Sequence, residues 1–354
     1  MIIPATYASA LLLTILSMLC WGSWANTFKL AGKWRFELFY FDYAAGVLLA
    51  AVIAAFTFGS MGSEMSFEDN LVIAGKTQMV WAFAAGIIFN LANMLLVAAI
   101  SLAGMAVAFP VGIGLALVVG VIWNYILNPQ GNPFLLAAGV ALVVLAIIVD
   151  ALAYRAHERQ QRSDADAVPQ PKPGSGTRRR PPARKTAGKG ILLCLLSGVL
   201  MGSFYPMVEI SKASDIGLGA YSVAFIFAIG VFTSTFVFNL YFMNLPVEGS
   251  PVPAVDYFKG TGRQHLLGLL GGIIWCTGAI ANFVAASSPK SVQVGPAISY
   301  AIGQGATMVS ALWGLLVWHE FAGAEPRVRR LLALMLFFFV AGLALLSLAP
   351  KYAH

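Results

Sequence analysis

Ten apolar runs, each long enough to cross a membrane, alternate with short polar turns along this chain. A hydrocarbon core of roughly 30 Å needs about 20 helical residues to span it. Lipid offers no partner to exposed backbone N–H and C=O groups, so a spanning run must be a helix or a strand of a closed barrel. These runs are continuous and rich in Leu, Ala and Phe rather than alternating, which selects helices. They are predicted at Thr6–Phe28, Phe39–Phe58, Met79–Ser101, Met105–Leu127, Pro133–Tyr154, Gly190–Ser211, Gly219–Met243, His265–Ala286, Val292–Val317 and Leu331–Ala349. Leu102-Ala103-Gly104 leaves room only for a tight turn between the third and fourth. Charged residues make up 10% of the chain, against about 25% in soluble domains. The expected fold class is an all-α membrane protein.

The first run does not read as a signal peptide. "MIIPATYAS" lacks a positive n-region, and the apolar stretch is longer than an h-region. Cys20, Cys194 and Cys276 fall in apolar helices and read as small packing residues, with no disulfide and no metal site expected.

Lysine and arginine set the orientation. Lys29, Lys33, Arg35, ten residues from Arg155 to Lys189, Lys259, Arg263, Arg327, Arg329 and Arg330 fall on one side of the ten spans. Only Lys76, Lys212, Lys290 and Lys351 fall on the other. The first side is expected to be cytoplasmic, with both termini outside the cell's inner (plasma) membrane. The net charge of +7 is therefore a topology signal. Spread over separate loops, it gives no reason to expect a nucleic-acid partner; membrane lipid is the expected surrounding.

Residues 155–189 form the one long polar segment, rich in Pro, Gly, Ser and Arg, and read as a disordered cytoplasmic linker. Residues 1–154 and 190–354 each hold five spans. An odd number per half makes the second half enter the membrane in the opposite sense. "AGIIF" at Ala85–Phe89 recurs as "GGIIW" at Gly271–Trp275, and Pro110 matches Pro296 at the same offset. "WGSWANTFK" at Trp21–Lys29 likewise matches "MGSFYPMVE" at Met201–Glu209, so Lys29 and Glu209 are expected near opposite faces. Two inverted five-helix repeats are the architecture of secondary transporters, whose substrate lies near the midplane between the repeats.

Polar groups at membrane depth are expensive and mark function. Asn90 and Asn93 share one helix face. Trp275, Gly278 and Asn282 share another, and Pro296, Tyr300, Gln304 and Thr307 a third. In the first helix Trp21, Trp24 and Phe28 align, with Asn26 to one side; Tyr205 stands beside Pro206 in its counterpart. Amides offer a donor and an acceptor together, and aromatic faces sandwich a planar ring. The candidate substrate-binding set is Trp24, Asn26, Asn90, Asn93, Tyr205, Trp275, Asn282, Tyr300 and Gln304. The same residues also suit interhelical hydrogen bonding and interfacial anchoring. No Lys or Arg lies at mid-helix, which points to a neutral small molecule. Pro110 and Pro296 are expected to break their helices at equivalent depths. Glu209 is the carboxylate inside an apolar helix away from the cytoplasmic side, whereas Asp42, Asp150 and Glu320 fall near cytoplasmic helix ends and read as interfacial.

"GSWANTFK" at Gly22–Lys29, "FDYAAGVLLAAVIAAFTFGSMG" at Phe41–Gly62 and "ALWGLLVWHEF" at Ala311–Phe321 resemble the ureide permease family. That family lies within the drug/metabolite transporter superfamily, and the chain resembles a bacterial-type member. The resemblance covers essentially the whole chain. It implies the drug/metabolite transporter fold and proton-linked uptake of allantoin and related cyclic amides such as uracil and xanthine, by symport. A proton as partner makes Glu209, near Lys212, the expected coupling residue. Plant members carry a phosphate-loop-like sequence in the linker; "PKPGSGTRRR" and "RKTAGKG" do not supply one, and no cofactor is expected.

A sugar importer or a metabolite exporter of the same superfamily would use the same amides and aromatics. An enzyme would need a nucleophile, a metal set or paired acids, and the sequence offers none. The residues leave the substrate, the coupling ion and the oligomeric state open.

Overall fold

The computed structural model describes residues 1–62, 65–127, 132–167, 187–213, 215, 217–247, 249–289, 291–292 and 296–352. It is all-helical among these residues. Helix α1 is Tyr7–Ser23, continued by the short helix Asn26–Leu30; α2 is Phe36–Phe56 and α3 Lys76–Ala103. Helix α4 comes in three pieces, Met105–Ala108, the π-helical turn Phe109–Ile113, and Gly114–Leu127. Then follow α5 Pro133–Ala167, α6 Ala187–Lys212, α7 Ala220–Asn244 and α8 Gly262–Ala286. Helix α9 is Pro296–Leu312, extended by the π-helical turn Trp313–Val317, and α10 is Pro326–Leu348. Nine helices among the described residues are long and apolar enough to cross a membrane, and Gly305–Val317 adds a shorter apolar one.

Between α3 and α4 the turn shrinks to Gly104 alone. Its φ of 83° lies in the left-handed region that glycine tolerates and other residues resist. Pro110 sits in the π-helical turn of α4, where the Gly114 N–H reaches back to the Phe109 carbonyl. Proline lacks the N–H that would bond four residues back, and a wider turn absorbs the misfit. Pro296, by contrast, is the first residue of α9 as described, and residues 293–295 lie outside the described part. Helix α5 continues past Tyr154 through the first thirteen residues expected as linker. Gln160 holds this extension: it donates to the Gly323 carbonyl at 2.9 Å and accepts from the Glu325 N–H at 3.0 Å. Residues 168–186 lie outside the described part.

Helices in lipid associate through close packing at small residues, because the surrounding tails are as apolar as the helices themselves. Here the closest approaches come in matched sets. Gly46 of α2 lies against the Leu269 carbonyl of α8, and Gly272 of α8 against the Tyr43 carbonyl of α2. Likewise Gly230 of α7 faces the Phe83 carbonyl of α3, and Gly86 of α3 the Phe227 carbonyl of α7. A third set joins α1 to α9, where Gly22 meets Ala306 and Val309, and α6 to α4, where Gly202 meets Ala116 and Val119. Across the matched sets, Gly46 and Gly230 stand 184 residues apart, Gly86 and Gly272 186, and Gly22 and Gly202 180.

The facing atom at Gly272 is backbone and has nowhere to go. Gly272→Ala should lower stability by about 1–3 kcal/mol, the usual cost of overpacking. Gly120→Ala meets no atom within 4 Å and should hold or raise stability. Thermal unfolding of the two variants in detergent checks both.

Candidate functional site

A cavity of about 400 Å³ lies between the two halves of the chain. Helices α1, α3, α4, α6, α8 and α9 all contribute to its wall. At its floor, nearest the end that carries Lys29, are Trp24, Leu96 and Phe109. From there it extends to Ala285 and Ala286, the last residues of α8. It therefore reaches from the middle of the bundle toward the face opposite the lysine- and arginine-rich loops.

One wall is a stack of rings. Trp275 lies over Phe89 with centroids 4.1 Å apart and planes 29° from parallel, and Phe227 and Trp21 also stack on Trp275, with centroids 5.9 and 6.2 Å away. Such offset stacking holds the rings rigidly and leaves flat apolar faces. Trp24 is buried and packs on Tyr43. Polar groups are few and fixed. The Tyr205 hydroxyl donates to the Asn282 Oδ1 at 3.2 Å, and the Asn93 amide donates to the Tyr40 hydroxyl at 3.2 Å. An amide has four hydrogen-bonding positions. Whichever way the Asn282 amide is turned, Tyr205 uses one, and the other end faces the cavity. Among the described residues, no charged side chain lines the wall.

Of the residues expected from sequence, Trp24, Asn93, Tyr205, Trp275 and Asn282 meet at this cavity. Asn90 does not. It is fully buried and spends its amide on Ser234 and Thr235 of α7, at 2.8 and 3.1 Å. Asn26 lies below the floor, where it accepts from the Trp318 indole N–H at 2.7 Å. The side chains of Tyr300 and Gln304 lie outside the described part, although α9 reaches the cavity through Gly303 and Ala306. Glu209 is off the wall, its side chain 48% exposed and paired with Lys212 at 3.2 Å. It still acts electrostatically on Tyr205, one turn earlier. Phe89 and Phe204 were missed, because one phenylalanine among 24 carries no mark of its position.

Beneath the floor, a ladder of polar contacts ties α1 to the far end of α9. The Trp313 indole N–H donates to the Ser23 hydroxyl at 3.0 Å, Trp318 to Asn26, and Lys29 pairs with Glu320 at 2.7 Å. Glu320 also accepts from the Met105 and Ala106 N–H groups at 2.8 and 2.7 Å. It thus caps the start of α4, whose first amides have no helical partner and favour a negative charge. Expected as interfacial, Glu320 joins three segments. Asp42 and Asp150 are buried as well. Asp42 faces His265 Nδ1 at 2.8 Å and accepts from the Tyr257 hydroxyl, whose phenol is pushed well above its ordinary range by burial and by that carboxylate.

The ureide permease family model matches residues 39–177 and 183–349. The chain belongs to the ureide permease family. Among its relatives are ureide permease 2 of Arabidopsis thaliana, 24% identical over 96% of this chain and 95% of that protein, and ureide permease 4, 24% identical over 98% of each. A probable ureide permease A3 of Vigna unguiculata is 20% identical over 80% of this chain and 87% of its own length. One solved crystal structure shares the fold, with a TM-score of 0.51 and 17% identity over 96% of both chains. A ureide permease is a transporter rather than an enzyme, and this one is a multi-pass membrane protein.

Because Glu320 holds three segments with charge-assisted bonds, its removal leaves Lys29 and two buried amides unmet. Glu320→Ala should destabilise the protein by about 1–3 kcal/mol, or more if Lys29 stays buried. It should also open the floor, so that a cysteine placed at Leu96 reacts faster with a thiol reagent added from the Lys29 side. Thermal unfolding and labelling rate measure the two effects.

Proposed function

We propose that the protein imports a small neutral heterocycle, an allantoin-like ureide or a nucleobase such as uracil, together with a proton. The observation that carries this reading is the cavity wall, which sets flat aromatic faces at Trp275 and Phe89 beside the Tyr205–Asn282 pair and, among the described residues, contains no charge. A planar cyclic amide fits that chemistry: its ring stacks, and its N–H and C=O edges meet a fixed amide and hydroxyl. A carboxylate or phosphate would enter with no countercharge. The names of the relatives support the same substrate class.

Transport is by alternating access in a ten-helix bundle of two inverted five-helix repeats, the drug/metabolite transporter fold. Support comes from the matched glycine contacts, which pair α2–α8 with α7–α3 and α1–α9 with α6–α4. The lysine- and arginine-rich face is cytoplasmic, as is the segment 155–189, and both termini are outside the inner membrane. The state described is then closed at the cytoplasmic end by the Ser23–Trp313, Asn26–Trp318 and Lys29–Glu320 ladder, with the cavity reaching outward. Opening inward means breaking that ladder and closing α4 and α6 over α9 on the other side.

A thermal-shift panel tests the substrate. A ligand at 100 times its Kd stabilises by about 2.7 kcal/mol. Allantoin or uracil should raise the melting temperature while glucose and rhamnose leave it unchanged; the reverse result makes the protein a sugar carrier. Flux in sided vesicles separates import from export. Trp275→Ala and Asn282→Ala should each weaken binding by about 1–3 kcal/mol, through a lost stacking face or an unmet polar edge. Unchanged titration calorimetry in both folded variants moves the site elsewhere.

A further inference from the structure

Proton coupling needs a group whose charge is sensitive to which side of the membrane it faces. Glu209 is half exposed and already paired with Lys212. Another carboxylate meets the requirement better. Asp150 lies within the apolar stretch of α5, is fully buried, and neither of its oxygens has a hydrogen-bond partner among the described residues.

Among the described residues no cation pairs with it; Arg155 and Arg159, further along α5, are exposed. From Met105 to Leu127, α4 carries no titratable side chain except Tyr125 near its far end. The three arginines of α10, Arg327, Arg329 and Arg330, all stand in its first two turns. Helix α6 brings Cys194, buried beside Asp150. On α5 itself Tyr154 donates to the Leu102 carbonyl at 3.2 Å, and His157 bonds Gln161 at 2.9 Å. The charged group that acts on Asp150 is Glu320.

Two carboxylates that act on each other electrostatically, both out of water, do not both keep a charge unless both are compensated. Glu320 has Lys29 and two backbone N–H groups; Asp150 has no hydrogen-bond partner among the described residues. The neutral acid at Asp150 is the form such a site accommodates. Asp150 also lies behind the π-helical turn of α4 that lines the cavity: Ile147, one turn earlier on α5, packs on Gly114 at the end of that turn, and Phe109 and Ile113 form the cavity wall.

We propose that Asp150 is the proton-binding site of this transporter, sealed while the Lys29–Glu320 latch is closed and opened to the cytoplasm when the latch breaks. The inference rests on the reading of the protein as a proton-linked importer. In the step itself, the O–H bond of the Asp150 carboxyl breaks, the proton passes to cytoplasmic water, and the carboxylate remains. Movement of Glu320 away from Met105, Ala106 and Lys29 admits that water. The ladder that closes the cytoplasmic gate thereby also guards the proton.

Wild-type protein, Asp150→Asn and Glu209→Gln are reconstituted into vesicles and supplied with labelled allantoin. With one proton per substrate, an inward gradient of one pH unit supports about tenfold accumulation, since about 1.4 kcal/mol is a factor of ten. Wild type and Glu209→Gln should reach it. Asp150→Asn should only equalise the concentrations, while its allantoin counterflow stays within about twofold of wild type, because the amide preserves shape and exchange needs no net proton movement. Gradient-driven accumulation by Asp150→Asn at the wild-type level overturns the proposal, as does a loss confined to Glu209→Gln. Counterflow without accumulation in the wild type overturns proton coupling, and the Asp150 proposal with it. Absence of allantoin counterflow in the wild type rejects that substrate alone, and infrared spectroscopy then decides. The carbonyl stretch of a protonated carboxyl should be present in the purified wild type at neutral pH and missing from Asp150→Asn. Identical spectra overturn the assignment without any substrate.

Discussion

Close backbone contact at paired glycines is the constraint on which the rest of the structure depends. Lipid gives helices little reason to associate, so the bundle relies on surfaces that let carbonyls and Cα atoms touch. Gly46 and Gly272 lock α2 to α8, and Gly86 and Gly230 lock α3 to α7. These two pairs stand as rigid units, and Phe89 on α3 and Trp275 on α8 face each other between them. The 4.1 Å ring stack that walls the cavity is thus set by glycines one to two turns away on the same helices. Recognition residues held this way need no reorganisation when a ring slides against them.

The second constraint is the cost of polar groups at membrane depth, and the structure divides them cleanly. Asn90 is satisfied by Ser234 and Thr235, and the Asn239 amide nitrogen donates to the Glu37 carbonyl at 2.7 Å while its Oδ1 has no partner among the described residues. These bonds join helices and fix register. Asn93, Asn282 and Tyr205 are partly satisfied and face the cavity, where a ligand can complete them. Asp150 has no hydrogen-bond partner among the described residues. A group with no structural partner and a high desolvation cost persists most reasonably where its charge state is used.

Much of this was legible in the sequence. Apolar length and the absence of alternation gave the helical membrane class, because backbone satisfaction in lipid allows so few alternatives. The aromatic–amide set placed five of its nine members at the cavity. Asn90 and Asn26 went astray for one reason: spacing identifies a helix face, but which neighbour that face meets depends on packing. Asp150 and Glu320 were placed at the interface because their sequence positions lie near basic loops. Depth along a helix does not reveal what folds over it. Glu320 is buried by the starts of α4 and the end of α1, segments more than 200 residues away in the chain.

The two halves differ where a transporter must be asymmetric. Lys29 and Glu209 occupy matching positions 180 residues apart, at opposite ends of the bundle. Lys29 reaches across to Glu320, and through it to the start of α4, in a pair that is largely out of water. Glu209 turns instead to Lys212 on its own helix, in an exposed pair of the kind that contributes little. Matched packing with mismatched terminal contacts gives one end a latch, and the other end shows none among the described residues. A bundle whose ends were chemically identical would have no preference for which side to open. Under the proposal made above, that preference resides in the Glu320 contacts, and a proton at Asp150 is the means to change it.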